Sequence, residues 1–332
     1  MTWNLQRKRL QILVAAFAVV LLFLSSGRAS LGASCNYEKG GNCRLPFNGV
    51  TRRYTLHVPK NFQPGSSALV IAFHGARGDG PEFEQLTQLD KTADSNGFAV
   101  AYPDGLPNPS GATSWNVYFN PTYGSNAPDD SGFTRELIAT LQANLHPDPK
   151  KIYVTGLSAG GHMAHRAAID LSDLVSAAGV MAGSVWVQHA GGTQRPPPPK
   201  APVSILLLHG DNDPIVQYCG VQNAKITEAS EDESFDYWAG ANACTSASVG
   251  SSLCTARLGH PTPVMVKFAT GCASGTEVRF VRLVGGVHSW YGGQLNVPPG
   301  DRLRPYNSTL NSSTGTTTND ILWNFFASHA KP

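Results

Sequence analysis

From Ile152 to Gly161 the chain reads Ile-Tyr-Val-Thr-Gly-Leu-Ser-Ala-Gly-Gly, and no other stretch restricts its fold so tightly. The apolar, β-branched run up to Leu157 predicts a buried strand. His162 to Ala168 is a good helix-forming run. Between them Gly156 to Gly160 spells G-x-S-x-G. Strand, tight turn and helix are the setting in which such a motif becomes an elbow that lifts a serine hydroxyl to the end of a sheet. Ser158 is then expected on a strained turn, with Gly156 and Gly160 leaving room for the backbone to pass closely. The amide of Ala159, which opens the helix, can point at a developing oxyanion. The plainer alternative is a Gly-rich turn with an exposed serine.

The rest of the chain supplies the sheet this elbow needs. Arg53 to Pro59 alternates like an outer strand, and Ala68–Phe73, Gly97–Pro103, Ala177–Ala182, Val203–Leu208 and Glu277–Leu283 read as further strands. Helices are expected over Glu82–Ser95, over Phe133–Leu145 behind an Asp129-Asp130-Ser131 cap, over Asp232–Ala241 and over Asn319–His329. Strands alternating with helices predict an α/β chain with a mainly parallel central sheet, helices on both faces, and one domain. Two stretches stand apart: an irregular one from Asp104 to Asp129 carrying Trp115, Tyr118, Phe119 and Tyr123, and a Cys-containing insertion at about 219–275.

Composition bounds the setting. Arg7, Lys8 and Arg9 precede an apolar run from Ile12 to Leu24 and then small residues, so residues 1–29 read as a secretory signal peptide. The run is shorter than the roughly 20 residues of a membrane span, so no stable membrane anchor is expected. Residues 1–29 hold four basic side chains and no acid, so what remains carries 21 basic and 23 acidic side chains, net −2. That balance, with no basic stripe, speaks against nucleic-acid binding. Charged residues make up 14% of the chain, below the usual quarter or so, which suits a loop-rich exported protein. Six cysteines at 35, 43, 219, 244, 254 and 272 suggest three disulfides in an oxidising compartment. Cys35 and Cys43 are expected to pair, and the other four stay open. No C-x-x-C occurs, so no metal is expected.

A nucleophilic serine needs a base, and the base an orienting carboxylate. Functional groups in such sheets gather beyond the C-terminal strand ends, which narrows ten histidines to His74, His209 and His288. His74 and His209 stand just before Gly at the end of apolar strands and read as structural. His288 lies past its strand after Gly285-Gly286, on a loop free to turn inward, and comes last in the chain. His162, one helical turn after Ser158, reads as packing. For the acid, the loop after Leu208 offers Asp211 and Asp213. Pro214 extends the backbone at Asp213, which favours Asp213. A second oxyanion donor is expected in Gly75-Ala76-Arg77, with the Ala76 amide the best single choice.

The set Arg53-Tyr54…Val58-Pro59, His74-Gly75, Asp129-Asp130…Phe133, Gly156 to Gly161, His209-Gly210…Asp213 and His288…Trp290 resembles the polyhydroxybutyrate depolymerase/feruloyl esterase family of secreted α/β-hydrolases. Val287, Tyr291 and Ala76 depart from that family's usual Gly, Pro and Cys. The resemblance implies an α/β-hydrolase fold, no cofactor, and a serine esterase with Ser158 as nucleophile, Asp213 as acid and His288 as base. Release of feruloyl-type acids from plant-wall polysaccharide esters is expected from the aromatic residues of the loops near Ser158. Polyester depolymerase, general short-chain esterase, acyltransferase and non-catalytic binder are the rivals. Trp115, Trp290 and Tyr291 are expected to line an aromatic substrate pocket. No module to hold an insoluble polymer is expected after the closing helix. Asn307 and Asn311 open glycosylation sequons.

Overall fold

The apolar runs form strands that lie side by side because they have no face for water: every residue of Leu69–Phe73, Ala99–Pro103 and Ile152–Leu157 is buried. Burying each large aliphatic side chain stabilises the fold by about 1.5–3 kcal/mol. The computed structural model describes residues 34–118, 127–189, 195–223, 226–247, 264–292 and 317–332. Residues 1–29, Phe119, Tyr123, Cys254, Asn307 and Asn311 lie outside them.

In chain order the strands are β1 (Gly41–Phe47), β2 (Val50–His57), β3 (Leu69–Phe73), β4 (Ala99–Pro103), β5 (Leu106–Pro107), β6 (Thr113–Ser114), β7 (Ile152–Leu157), β8 (Ala177–Met181), β9 (Val187–His189), β10 (Ser204–Gly210), β11 (Val221–Gln222), β12 (Ile226–Glu228), β13 (Ser246–Ala247), β14 (Val264–Thr270) and β15 (Val278–Leu283). The helices are α1 (Gly80–Thr87), α2 (Leu89–Asn96), α3 (Asp130–Leu145), α4 (Ala159–Asp170), α5 (Glu231–Ala241) and α6 (Thr318–Ala327).

Ten strands make one sheet in the order β1-β2-β4-β3-β7-β8-β10-β15-β14-β13. It is parallel from β4 through β15 and antiparallel at both ends. One face packs on α3, α4 and α5 through residues such as Phe133, Met163 and Trp238. The other packs on α1, α2 and α6 through Phe83, Leu89 and Phe325. This is the expected mainly parallel α/β sheet covered on both sides.

Three expectations need correction or refinement. The single helix over Glu82–Ser95 is two, broken at Gln88, whose φ of 53° is left-handed. Within the stretch 219–275, α5 packs on the sheet, and β14 pairs with β15 along Val264–Ala269. Asp129 caps α3 by accepting from the Gly132 amide, but Asp130 is buried in an ion pair with Arg52 at 2.8 Å.

Cys35 is bonded to Cys43, as expected, and Cys244 to Cys272. Cys219 is exposed, and Cys254 lies outside the described residues. Among the described residues no helix is long and apolar enough to cross a membrane.

Candidate active site

The elbow is built by steric necessity. Ser158 has φ 60° and ψ −123°, a conformation side-chain-bearing residues seldom adopt, and it stands at the N-cap of α4 without using its side chain as a cap. The turn passes so close to β3 that a Cβ on Gly160 would sit 1.9 Å from the Phe73 carbonyl oxygen. A Cβ on Gly156 would sit 2.2 Å from the Gly160 carbonyl oxygen. The Ser158 amide donates to the Met181 carbonyl at the end of β8. The side chain is therefore held at the C-terminal edge of the sheet, half-buried.

On the same edge, the order β7-β8-β10-β15 brings the loops after β10 and β15 alongside. A Cβ on Gly210 would meet the Gly286 carbonyl oxygen at 2.3 Å, and the Asn212 amide donates to that oxygen. His288 Nδ1–H donates to Asp213 Oδ2 at 2.6 Å, which leaves Nε2 as the free basic nitrogen. Asp213 Oδ1 accepts the Ile215 and Val216 amides at 2.8 and 3.1 Å. Burial opposes charge on Asp213, but hydrogen bonds from His209 and His288 outweigh it and hold the carboxyl well below its usual range. Asp211 has a different place: it accepts from Arg282 and from the Gly285 amide, tying the two loops together. Of the two acids offered by this loop, Asp213 is the one within hydrogen-bond distance of His288.

The other histidines divide as follows. His74 is buried, donates from Nδ1 to the Gly75 carbonyl and accepts the Gly105 amide at Nε2, so it shapes the loop after β3. Burial lowers its pKa. His162 Nε2 lies 3.1 Å from Glu228 Oε1. His209 reaches Asp213 Oδ2 at 3.2 Å and Glu231 Oε1 at 2.6 Å. Nothing in the chain's pattern connects Glu231 to this site. It lies 22 residues beyond His209 at the start of a helix whose visible signal is the Ser230…Glu233 capping box.

In the loop after β3 the Arg77 amide donates to Thr113 and the Gly78 amide to Gly75. Ala76 is exposed, and Ala159 opens α4 half-buried. The three aromatic residues expected to line a pocket do not reach an accessible surface. Trp115 is 0% exposed, with its indole N–H on the His74 carbonyl and its ring edge-on to Phe73. Trp290 is 1% exposed, donates to Asn319 and packs on Phe83. Tyr291 is equally buried and its hydroxyl donates to the Val287 carbonyl. Each braces a loop of the site from behind, because the apolar rings are worth more inside the core than at its rim.

A strained serine between a parallel strand and a helix, with a histidine–aspartate pair on later loops of the same edge, defines an α/β-hydrolase fold. Residues 52–193 match the family model described as Esterase PHB depolymerase, a likeness that supports assignment to that family. It is similar to feruloyl esterase B of Piromyces equi, 32% identical over 200 residues that cover 58% of this chain and 36% of the relative. It is also similar to the bifunctional acetylxylan esterase/xylanase XynS20E of Neocallimastix patriciarum, 28% identical over 175 residues, 52% of this chain and 23% of the relative. The chain thus spans about a third or less of those two proteins. Among solved structures, an S-formylglutathione hydrolase from Agrobacterium tumefaciens aligns with TM-score 0.50 and 11% identity over 90% of this chain and 99% of that one. That likeness supports the fold.

Proposed function

We propose that this protein is a secreted carboxylic ester hydrolase that works through Ser158, His288 and Asp213. The observation that carries the reading is the 2.6 Å His288–Asp213 hydrogen bond on the sheet edge that also holds the strained Ser158. His288 Nε2 takes the Ser158 proton as Oγ attacks the ester carbonyl. The tetrahedral oxyanion is met by the amides of Ala76 and Ala159. Collapse expels the alcohol, which takes the proton from His288, and leaves an acyl-serine. Water then attacks, His288 again acting as base, and the acid is released. Asp213 keeps Nδ1 protonated throughout, so that Nε2 faces the serine. Residues 1–29 act as the export signal, residues 30–332 form the catalytic domain, and the two disulfides suit an oxidising compartment.

The substrate is an ester on plant-wall polysaccharide. Likeness to a feruloyl esterase supports an aromatic acyl group. A second reading, an acetyl group, is favoured by one observation: Trp115, Trp290 and Tyr291 are turned into the core, which withdraws three rings from any aromatic pocket. The deciding measurement is kcat/KM on methyl ferulate, acetylated xylan, a short alkanoate ester and a hydroxybutyrate oligomer. Feruloyl preference gives methyl ferulate the highest value, acetyl preference gives it to acetylated xylan, and a win for the oligomer makes the protein a polyester hydrolase. Ser158→Ala abolishes every activity and blocks phosphonate labelling. Substantial activity in that variant refutes the mechanism.

A further inference from the structure

We infer that Glu231 and His209 are positioning residues of this site: His209 is held as an imidazolium between two carboxylates and fixes Asp213 against His288. The inference rests on the reading of Ser158, His288 and Asp213 above. It starts from a count of donors and acceptors. His209 Nε2 faces two groups that only accept, Asp213 Oδ2 at 3.2 Å and the Val216 carbonyl at 2.9 Å, so Nε2 carries a proton. Nδ1 lies 2.6 Å from Glu231 Oε1, a distance that requires a second proton between them. The side chains of His209, Asp213 and Glu231 are 1%, 0% and 2% exposed, so no solvent exchange relieves either contact.

The location of Glu231 explains where that second proton resides. Glu231 is the first residue of α5, behind the Ser230 cap, where the helix's unpaired amides favour a negative side chain. That position favours the shared proton on His209. Burial disfavours the cation, but Glu231 and Asp213 outweigh that and push the His209 pKa up to about 10. Other charged groups nearby are committed elsewhere. Arg282, opposite His209 on β15, is paired with Asp211. The Tyr218 ring stands edge-on to His209 at 5.8 Å.

Asp213 thereby has all its directions filled: two amides on Oδ1, and His209 and His288 on Oδ2. Its carboxylate has no second rotamer that keeps these bonds. His209 also draws charge from Asp213, so His288 feels a weaker base than a lone aspartate offers. In Glu231→Gln the proton leaves His209 within the working pH range. Asp213 then accepts more strongly from His288, and the acid limb of activity moves to higher pH.

The test uses the whole protein and two readouts. In the wild type, nitrogen-detected imidazole NMR at pH 8.5 is expected to show one histidine with both nitrogens protonated. This needs no variant to fold. In Glu231→Gln, kcat falls on the order of tenfold with KM within about twofold, and the acid limb of the kcat profile rises by about half a pH unit or more. Glu231→Asp, which keeps the charge but shortens the reach, restores the limb more than it restores kcat. Absence of any imidazolium at pH 8.5 overturns the inference. So does a Glu231→Gln profile that superimposes on the wild type while Ser158→Ala is inactive. Activity retained in Ser158→Ala instead removes the reading on which the inference rests.

Discussion

Ser158 and His288 stand on one sheet edge, yet the elbow that carries the first is held by close packing and the loop that carries the second by hydrogen bonds among ionisable groups. At the elbow, Gly156 and Gly160 admit β3 and the helix backbone within distances no side chain tolerates. Across the edge, Asp213 is fixed by two amides and two imidazoles. The first arrangement is indifferent to pH and intolerant of a methyl group. The second is sensitive to a single charge.

The sharpest way to break the hydrogen-bonded side is at Asp213. Asp213→Asn loses the acceptor that keeps Nδ1 of His288 protonated, so turnover falls by roughly 10⁴-fold, about 5 kcal/mol in the barrier. Asp211→Asn removes a charge from a carboxylate that holds Arg282 and the Gly285 amide but does not touch His288. Its expected cost is about 1–3 kcal/mol of stability, with turnover changed only several-fold. Steady-state kinetics and urea unfolding on both variants check this, and equal kinetic losses would move the acid to Asp211.

The packed side breaks by volume. In Gly160→Ala the new methyl meets two backbone carbonyls, Phe73 at 1.9 Å and His74 at 2.6 Å, which cannot swing aside as a side chain does. The expected loss is about 3 kcal/mol or more, with activity lost in step. Gly240 in α5 is the control: a Cβ there has nothing within 4 Å, so Gly240→Ala gains about 0.5–1 kcal/mol of helix propensity. Chemical denaturation of both variants measures the contrast, and a Gly160→Ala protein as stable as wild type would show that the elbow relaxes.

The same contrast explains what could be read from residues alone. Steric demands leave local marks. The glycines of the elbow and the apolar strands were visible because each depends on neighbours in the chain. Hydrogen-bonded demands span long separations. Glu231 was invisible because its partner is 22 residues away, and the Arg52–Asp130 pair because it joins β2 to α3 across 78 residues. Aromatic side chains misled for a related reason. Trp115 and Trp290 sit on loops, where exposure is the ordinary expectation, but those loops fold back onto the core. The break at Gln88 had no Gly or Pro to announce it.

Two buried histidines carry the comparison into solution. His209 is charged between carboxylates. His165 on α4 is equally enclosed but stays neutral: Trp238 Nε1–H donates to its Nδ1 at 2.9 Å and its Nε2–H donates to the Gly183 carbonyl. Burial first, then the neighbouring His162, lowers the His165 pKa to about 3. Glu228 faces the neighbouring His162 at 3.1 Å. The unfolded chain binds this proton near the ordinary histidine value of about 6.5, the folded protein only far below it. Stability from His165 is therefore full above about pH 6.5 and drains as pH falls toward 3, by up to about 1.4 kcal/mol per pH unit. For His209 the sign reverses: its contribution is full below about pH 6.5 and is lost as pH rises toward 10. His165→Gln keeps an acceptor for the indole and a donor for Gly183 but does not titrate. Between pH 6.5 and 5 the wild type is expected to lose about 1.6 kcal/mol more than His165→Gln, read from urea midpoints at the two pH values. Parallel losses in the two proteins would mean that His165 takes up its proton without unfolding, and that indole and carbonyl do not keep it neutral.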